Sequence, residues 1–176
     1  MAPSAHASVQ AWVAQYWDVV YQLLSRLTGN RHDAEDLCQE TFLKAMERHD
    51  SFQQGTNLRA WLLRIATNAF LDRQRRRKVL RMTAMPDDDV APLPPRNDAV
   101  ATAPGRGLEV RETHEAVLAA IGTLPDTPRV VFLLRIEQDM SFREIAELIG
   151  TSEETARWHM MQARKQLLAK LDGKLD

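Results

Sequence analysis

Apolar residues recur at three- and four-residue spacings through most of the chain, and this pattern predicts helices rather than strands. The first helix would end at Gly29 and Asn30, which are typical helix stop residues. We expect a second helix over residues 33–48 and a third over 58–80, separated by a polar loop. The apolar positions of the first segment are Val9, Trp12, Val13, Tyr16, Val20, Leu23, Leu24 and Leu27.

The second and third predicted helices each carry an apolar face that can be buried in a core. In the second helix this face comprises Leu37, Phe42, Leu43 and Met46. In the third helix it comprises Trp61, Leu62, Ile65, Ala66, Ala69 and Phe70. Three amphipathic helices in series predict a helical domain at the start of the chain.

A proline-rich stretch follows the third helix. Five of the eight prolines lie within residues 82–107, together with the acidic residues 87–89. Proline removes a backbone donor and restricts the residue before it, so this stretch is predicted to be a flexible linker. The sequence therefore predicts an all-α chain: two small helical domains, residues 1–81 and 108–176, joined by the acidic, Pro-rich linker 82–107.

The second domain contains a pattern typical of a helix-turn-helix. After helices expected over 110–121 and from Leu124-Pro125 onward, Ser141 and Glu144 can form a capping box for a short helix that ends at Gly150. Ser152 can then cap a longer, polar helix. A short helix, a glycine turn and a longer polar helix are the parts of a DNA-binding helix-turn-helix, although the same apolar spacing also suits an ordinary helical hairpin.

The net charge of −1 conceals two blocks of opposite sign. Residues 31–50 contain three basic and six acidic side chains, whereas residues 59–81 contain eight basic and one acidic. The basic block suits phosphate, and its aromatic and amide neighbours suit unpaired bases. DNA would repel the acidic block, so we expect that block to face solvent or a basic protein.

Composition argues against several other classes of protein. The single cysteine, Cys38, cannot form an internal disulfide and is most simply a small buried residue. The carboxylates of residues 33–36 point in different directions along one helix, so we expect no metal site and no cofactor. No pattern of catalytic residues predicts an enzyme. No apolar run is long enough to span a membrane and no signal peptide is evident, so a cytoplasmic protein without membrane insertion is expected.

Two long stretches resemble the extracytoplasmic-function (ECF) sigma factors of the bacterial sigma-70 family. Residues 33–42, Phe52, and residues 58–73 are similar to sigma region 2. The segment from Leu124 through residues 141–146 and 152–157 is similar to sigma region 4. The resemblance implies a sigma factor that binds core RNA polymerase, recognises and opens promoter DNA, and initiates transcription.

The resemblance also implies partners and residue roles. The acidic helix would dock on the β′ clamp of core RNA polymerase through Asp33, Glu35, Asp36, Leu37, Gln39 and Glu40. The minus-ten promoter element would be bound by Phe52, Asn57, Arg59, Trp61, Asn68, Arg73, Arg75, Arg76 and Arg77. The β flap and an anti-sigma factor are further implied partners.

The second helix of the helix-turn-helix would bind the minus-thirty-five element through Ser152, Glu153, Thr155, Arg157, Trp158, His159, Gln162, Arg164 and Lys165. Family members commonly carry basic residues at the positions of His159 and Gln162, which predicts weaker phosphate contacts here. The alternative function is a two-domain regulator that binds duplex DNA without polymerase. A nuclease is a third class, for which the sequence offers no ligand set.

Overall fold

The computed structural model describes residues 5–53, 55–83 and 108–171, with side chains from Val9 in the first range and from Glu115 in the last. These residues form helices and no strand. In chain order the helices are α1 (Ala5–Thr28), α2 (Arg31–Glu47), α3 (Leu58–Thr83), α4 (Leu108–Gly122), α5 (Asp126–Ile136), α6 (Phe142–Ile149) and α7 (Glu153–Leu171), with a 3-10 turn at His49–Ser51 after α2.

The chain divides into two compact units. The first unit comprises Met1–Ser25 with His32–Leu93, and the second comprises Arg26–Arg31 with Pro94–Asp176. The predicted all-helical fold is confirmed. Helix α3 continues to Thr83, two residues into the predicted linker, and the rest of that linker, residues 84–107, lies outside the described residues. The proposed domain boundaries at 81 and 108 stay predictions.

The core of the first unit is formed by apolar side chains from all three of its helices. Trp17 of α1 stacks on Phe42 of α2, with ring centroids 5.8 Å apart. The fully buried side chains include Val20, Leu23, Leu24, Leu37, Cys38, Leu62 and Phe70. Burial raises the pKa of the Cys38 thiol to about 12, so this cysteine is a neutral packing residue at physiological pH.

The prediction that Leu43 belongs to the buried apolar face of α2 is wrong. Leu43 is 57% exposed, whereas Ala34, Thr41 and Ala45 are buried. Small residues let α2 approach its neighbours, and Thr41 is accommodated because its hydroxyl donates a 2.7 Å hydrogen bond to the Leu37 carbonyl. The buried face of α2 is therefore rotated away from Leu43.

In the second unit, both ends of the short helix α6 are capped. Ser141 caps α6 by accepting from the Glu144 amide at 3.2 Å, and Glu144 accepts from the Ser141 amide at 2.8 Å. The predicted capping box is thus confirmed. The Ser141 hydroxyl, which donates to the Glu144 carboxylate at 2.7 Å, and the Ser141 amide together lower the pKa of Glu144. Gly150 ends α6 in the left-handed region at φ 70°, where a glycine costs least.

A largely buried arginine fixes the turn between α4 and α5. Arg129 donates to the carbonyls of Gly122 and Leu124 at 2.7 and 2.6 Å. Desolvation lowers its pKa, and the charge of Asp126 partly offsets that effect. These bonds satisfy carbonyls at the end of α4 and thereby set the start of the three-helix segment α5–α7.

Among the described residues, no helix combines the length and the apolar composition that a membrane span requires.

Candidate protein and nucleic-acid interfaces

The outward side of α2 is polar except for one leucine. Asp36, Gln39 and Glu47 are exposed, and Leu43 lies among them with more than half of its surface accessible. Spacings of three and four residues place these four side chains on one side of the helix. We call them the α2 stripe. It offers a partner one apolar contact with carboxylates on either side, and sequence patterning missed Leu43 because it assigned that residue to the core.

Other carboxylates of α2 face the basic helix of the same unit. Asp33 accepts hydrogen bonds from Arg73 at 3.3 Å and from Arg77 at 3.0 Å. Glu40 lies 3.6 Å from Arg73 and 2.6 Å from Lys44. The acidic and basic blocks, which the sequence assigned to separate partners, therefore neutralise each other in part within the first unit.

The six residues predicted to bind polymerase differ in accessibility. Asp36 and Gln39 are exposed, Asp33, Glu35 and Glu40 are half-buried, and Leu37 is fully buried. A side chain with no accessible surface cannot touch a partner without rearrangement. Leu37 is therefore a core residue, which lies beneath the carboxylates that α2 exposes.

A cluster of aromatic rings supports the loop between α2 and α3. Trp12 stacks on His49 with centroids 5.3 Å apart, and meets Phe52 and Trp61 edge-on at 5.6 and 5.8 Å. Phe52 and Trp61 are themselves 5.2 Å apart. All four rings are half-buried, so the cluster presents aromatic surface at the loop. Trp12 was predicted only as a core position of α1, since helical periodicity cannot show which loop a ring supports.

The loop itself is ordered by short-range hydrogen bonds. The Thr56 hydroxyl donates to the Gln53 carbonyl at 2.7 Å, and Gly55 adopts a φ of 92°, which favours glycine. The Asn57 side chain accepts from the Ala60 amide at 3.1 Å. Asn57 was predicted to contact promoter DNA. In the structure its side chain caps the N-terminus of α3 and so fixes the start of the helix that carries Trp61.

Asn68 and the four arginines of residues 73–77 that were predicted to bind the minus-ten element divide into two groups. Arg73 and Arg77 are turned toward α2, as their contacts with Asp33 show. Asn68, Arg75 and Arg76 are exposed on α3, with Arg75 paired to Asp72 at 3.1 Å. Arg64 lies one turn before Asn68 and is also exposed, although the sequence-based prediction omitted it. Arg59 is half-buried.

A half-buried tryptophan and three exposed polar residues form a ridge on α3. Trp61, Arg64, Asn68 and Arg75 follow one another at intervals of three, four and seven residues, which keeps them on one side of the helix. We call these four residues the α3 ridge. It joins an aromatic ring, an amide and two guanidinium groups, which is the combination that binds an unstacked base together with its backbone.

The predicted helix-turn-helix is present as α6 and α7. Ser152 caps α7 by accepting from the Thr155 amide at 3.1 Å, and the two hydroxyls are 2.8 Å apart. Ser152 and Thr155 are thus structural as well as accessible. Among the other residues predicted to bind DNA, Glu153, Arg157, Trp158, Arg164 and Lys165 are exposed, whereas His159 and Gln162 are half-buried.

Arg157 is the most constrained of these exposed side chains. It forms an ion pair with Glu153, one turn earlier on α7. Its guanidinium carbon also lies 4.9 Å from the centroid of the Phe142 ring on α6. Through this ion pair Glu153 orients an arginine at the N-terminal end of α7.

His159 lies at the edge of the exposed face of α7. Its ring centroid is 5.0 Å from that of Trp158, and its Nδ1 atom is buried without a hydrogen-bond partner among the described residues. Desolvation lowers the pKa of the imidazole, so the neutral form predominates at physiological pH. A neutral, half-buried ring has little to offer a phosphate.

Within the part of the chain that the structure describes, no group of three or more histidine, cysteine or acidic side chains is arranged to hold a metal ion.

Comparison with known proteins identifies both units. The family model for sigma-70 region 2 matches residues 12–79, and the model for sigma-70 region 4 matches residues 114–167. A region 2 bundle followed by a region 4 helix-turn-helix defines a sigma-70-type transcription factor.

Individual relatives show which family of sigma-70-type factors the chain resembles. SigW of Bacillus subtilis, an ECF RNA polymerase sigma factor, is 32% identical over 170 residues, with 89% of this chain and 84% of the relative covered. The ECF factor SigE of Mycolicibacterium smegmatis is 37% identical over 170 residues, which cover 94% of this chain. The alignment spans only 63% of that relative's length. The chain belongs to the ECF family of RNA polymerase sigma factors.

A solved structure supports the same fold. The sigma factor RpoE from Bartonella quintana, in complex with the anti-sigma factor NepR, superposes with a TM-score of 0.71 at 24% identity. The match covers 93% of this chain and 96% of RpoE.

Proposed function

We propose that this chain binds core RNA polymerase, places α3 and α7 on promoter DNA and initiates transcription without catalysing a reaction itself. The observation that carries the proposal is the division of the first unit's surface. The α2 stripe is acidic with one exposed leucine, whereas the α3 ridge is basic and aromatic. Two surfaces of such different chemistry suit two different partners, a protein and a nucleic acid.

The α2 stripe is the proposed docking surface for polymerase. Asp36 and Gln39 were already assigned to this role by resemblance, and Leu43 and Glu47 extend the surface along the same side of the helix. An apolar side chain surrounded by charges favours a partner that supplies both an apolar and a basic group. Asp33 and Glu40 contribute indirectly, because they hold α3 against α2.

The α3 ridge and the aromatic cluster are the proposed site for the opened minus-ten element. A base leaves the duplex only if its new site offsets the cost of unstacking, which is a few kcal/mol. Trp61 offers an aromatic face, Asn68 a donor and an acceptor, and Arg64 and Arg75 positive charge for the backbone. Trp12 and Phe52 keep Trp61 in place, so the site exists before DNA arrives.

The second unit is the proposed reader of the minus-thirty-five element. The N-terminal half of α7 exposes Glu153, Arg157 and Trp158, and this end of a recognition helix enters the major groove in helix-turn-helix proteins. Arg164 and Lys165 lie further along the exposed face, where they suit phosphates.

An anti-sigma factor is a further proposed partner, as NepR is for RpoE. The support from this chain is a row of exposed apolar side chains along α7: Trp158 is 51%, Met161 56% and Leu168 60% exposed. A protein that covered this row would also cover the accessible side of the recognition helix, so it would compete with DNA for the second unit.

Two binding measurements distinguish this function from a duplex-binding regulator. Labelled chain titrated with core RNA polymerase should bind it, and free chain should bind promoter duplex weakly at physiological salt. Specific duplex binding by the free chain, together with no binding to core polymerase, would establish the regulator instead. Divalent-metal-dependent cleavage of the duplex would point to a nuclease.

A further inference from the structure

Phe142, the first residue of α6, has two guanidinium groups over its ring. The Cζ atom of Arg157 lies 4.9 Å and that of Arg135 5.7 Å from the ring centroid. Both distances are within the range in which a cation is attracted to the electron-rich face of an aromatic ring. The sequence pattern that predicted the helix-turn-helix gave no role to Phe142 or Arg135.

Both ends of this stack are anchored. Arg135 donates to the Asp139 carboxylate at 3.1 Å and to the Met140 carbonyl at 3.3 Å, which ties it to the turn before α6. Phe142 directly follows Ser141, the N-cap of α6. The capping box therefore fixes the position of Phe142 at the start of the helix. At the other end, Nη2 of Arg157 donates to Glu153.

The remaining N–H groups of Arg157 have no hydrogen-bond partner among the described residues. The side chain is exposed at the helix end that carries the proposed base contacts. Glu153 offsets its charge, and the Phe142 ring, 4.9 Å from Cζ, limits the positions that its guanidinium group can adopt. A guanidinium with few available positions suits the directional hydrogen bonds of a base edge better than the diffuse attraction of a phosphate.

We propose that Phe142 is a positioning residue that holds the Arg157 guanidinium in the orientation required to read one base pair of the upstream promoter element. This inference rests on the proposed function of the second unit and assigns the discrimination at that base pair to the Phe142–Arg157 stack. Phe142 itself touches no base. It acts by reducing the number of side-chain conformers that Arg157 must give up on binding.

The test is a selection from DNA randomised over the upstream element, performed with holoenzyme that contains the full chain. Arg157→Ala should remove the preference at one base position, by about tenfold, as expected for loss of a directional arginine contact. Phe142→Leu should weaken the preference at that same position by about two- to fivefold, the range for an exposed cation–π contact. The double variant should be no worse than Arg157→Ala alone, and Phe142→Tyr should retain the preference.

Phe132→Leu is the matched control, because Phe132 is a half-buried phenylalanine of the same unit. It should leave the preference at every position unchanged. The proposal is overturned if Phe142→Leu keeps the full preference that Arg157→Ala removes, if it weakens every position equally, or if Arg157→Ala alters no position.

An NMR measurement on the free full chain tests the stack independently of DNA. The side-chain protons of Arg157 should show an aromatic ring-current shift that is lost in Phe142→Leu and kept in Phe142→Tyr. Equal shifts in the wild type and Phe142→Leu would overturn the proposal. If the wild-type holoenzyme selected no sequence at all, the proposed function would fail, and the NMR comparison would still decide whether Phe142 positions Arg157.

Discussion

Nη2 of Arg77 lies 3.0 Å from both carboxylate oxygens of Asp33. The two residues come from the two charge blocks of the sequence, and their contact closes α3 against α2. Arg73 reaches the same carboxylate. These three residues therefore belong to the internal structure of the first unit, and the surfaces proposed for partners are the α2 stripe and the α3 ridge.

Loss of the Asp33 charge should destabilise the chain rather than abolish polymerase binding. Asp33→Asn removes the carboxylate that Arg73 and Arg77 share, although Arg73 keeps its contact with Glu40. We expect the free energy of unfolding to fall by about 1 kcal/mol, since Arg77 is nearly half exposed and screened by water. Urea denaturation measures this change. Asp36→Asn is the matched control and should be neutral, because Asp36 is exposed and its ion pair with His32 is long, at 3.9 Å. Equal destabilisation by both variants would contradict the assignment.

Polymerase binding should depend on the α2 stripe. We expect Asp36→Arg and Leu43→Ala each to weaken the binding of core polymerase by about 1–2 kcal/mol, because each removes a contact that only the partner completes. Anisotropy of a labelled chain measures the dissociation constant. The control is Asp18→Arg, an identical charge reversal at an exposed position of α1 in the same unit. If Asp18→Arg weakened binding as much as Asp36→Arg, net charge and not the stripe would be responsible.

Promoter opening should depend on Trp61. Trp61→Leu keeps an apolar side chain but removes the ring, and we expect open-complex formation to fall by about tenfold, which corresponds to loss of one base–aromatic contact. Permanganate reactivity of unpaired thymines measures opening. Trp17→Leu, which removes a ring that stacks on Phe42 away from the loop, should leave opening unchanged. Normal opening with Trp61→Leu would exclude Trp61 from base capture.

Stability should depend on pH through His159. The folded-state pKa is lowered from the ordinary value of 6.5, so below pH 6.5 the unfolded chain binds a proton more readily than the folded chain does. Because of His159, the free energy of unfolding should therefore decrease as the pH falls from 6.5 through the lowered pKa of this residue. Above pH 6.5 His159 should have no such effect. Urea unfolding at pH 7.5 and pH 5.5 should show a larger loss for the wild type than for His159→Gln. Identical losses would show that His159 is hydrated when the chain is folded.

The sequence predicted the helices and the caps well because these depend on local chemistry. Ser141, Glu144, Gly150 and Ser152 act within a few residues of their own positions, and the structure shows each in its predicted role. The positions that could not be predicted depend on contacts between distant elements. Trp12 faces a loop about forty residues later, and the Asp33–Arg77 contact joins two blocks that composition alone treats as separate.

Leu43 is a further position that could not be predicted from local sequence. Leu43 lies three residues before Met46, a spacing that is compatible with a shared face, and only the burial of Ala34, Thr41 and Ala45 shows that the buried face lies elsewhere on the helix. An apolar residue at the edge of a helical face can be core or interface, and hydrophobic periodicity does not distinguish the two. The residue that best extends the proposed polymerase surface was for this reason missed.

Transcription reconstituted from purified components shows whether the chain acts as a sigma factor. Core RNA polymerase, the full chain and fragmented genomic DNA of the source organism are combined, and the 5′ ends of the transcripts are mapped. We expect discrete start sites that share upstream sequence elements and that require the chain. Their transcripts should be strongly reduced with Asp36→Arg and Trp61→Leu but kept with Asp18→Arg and Trp17→Leu. Transcripts no different from those of core polymerase alone would contradict it.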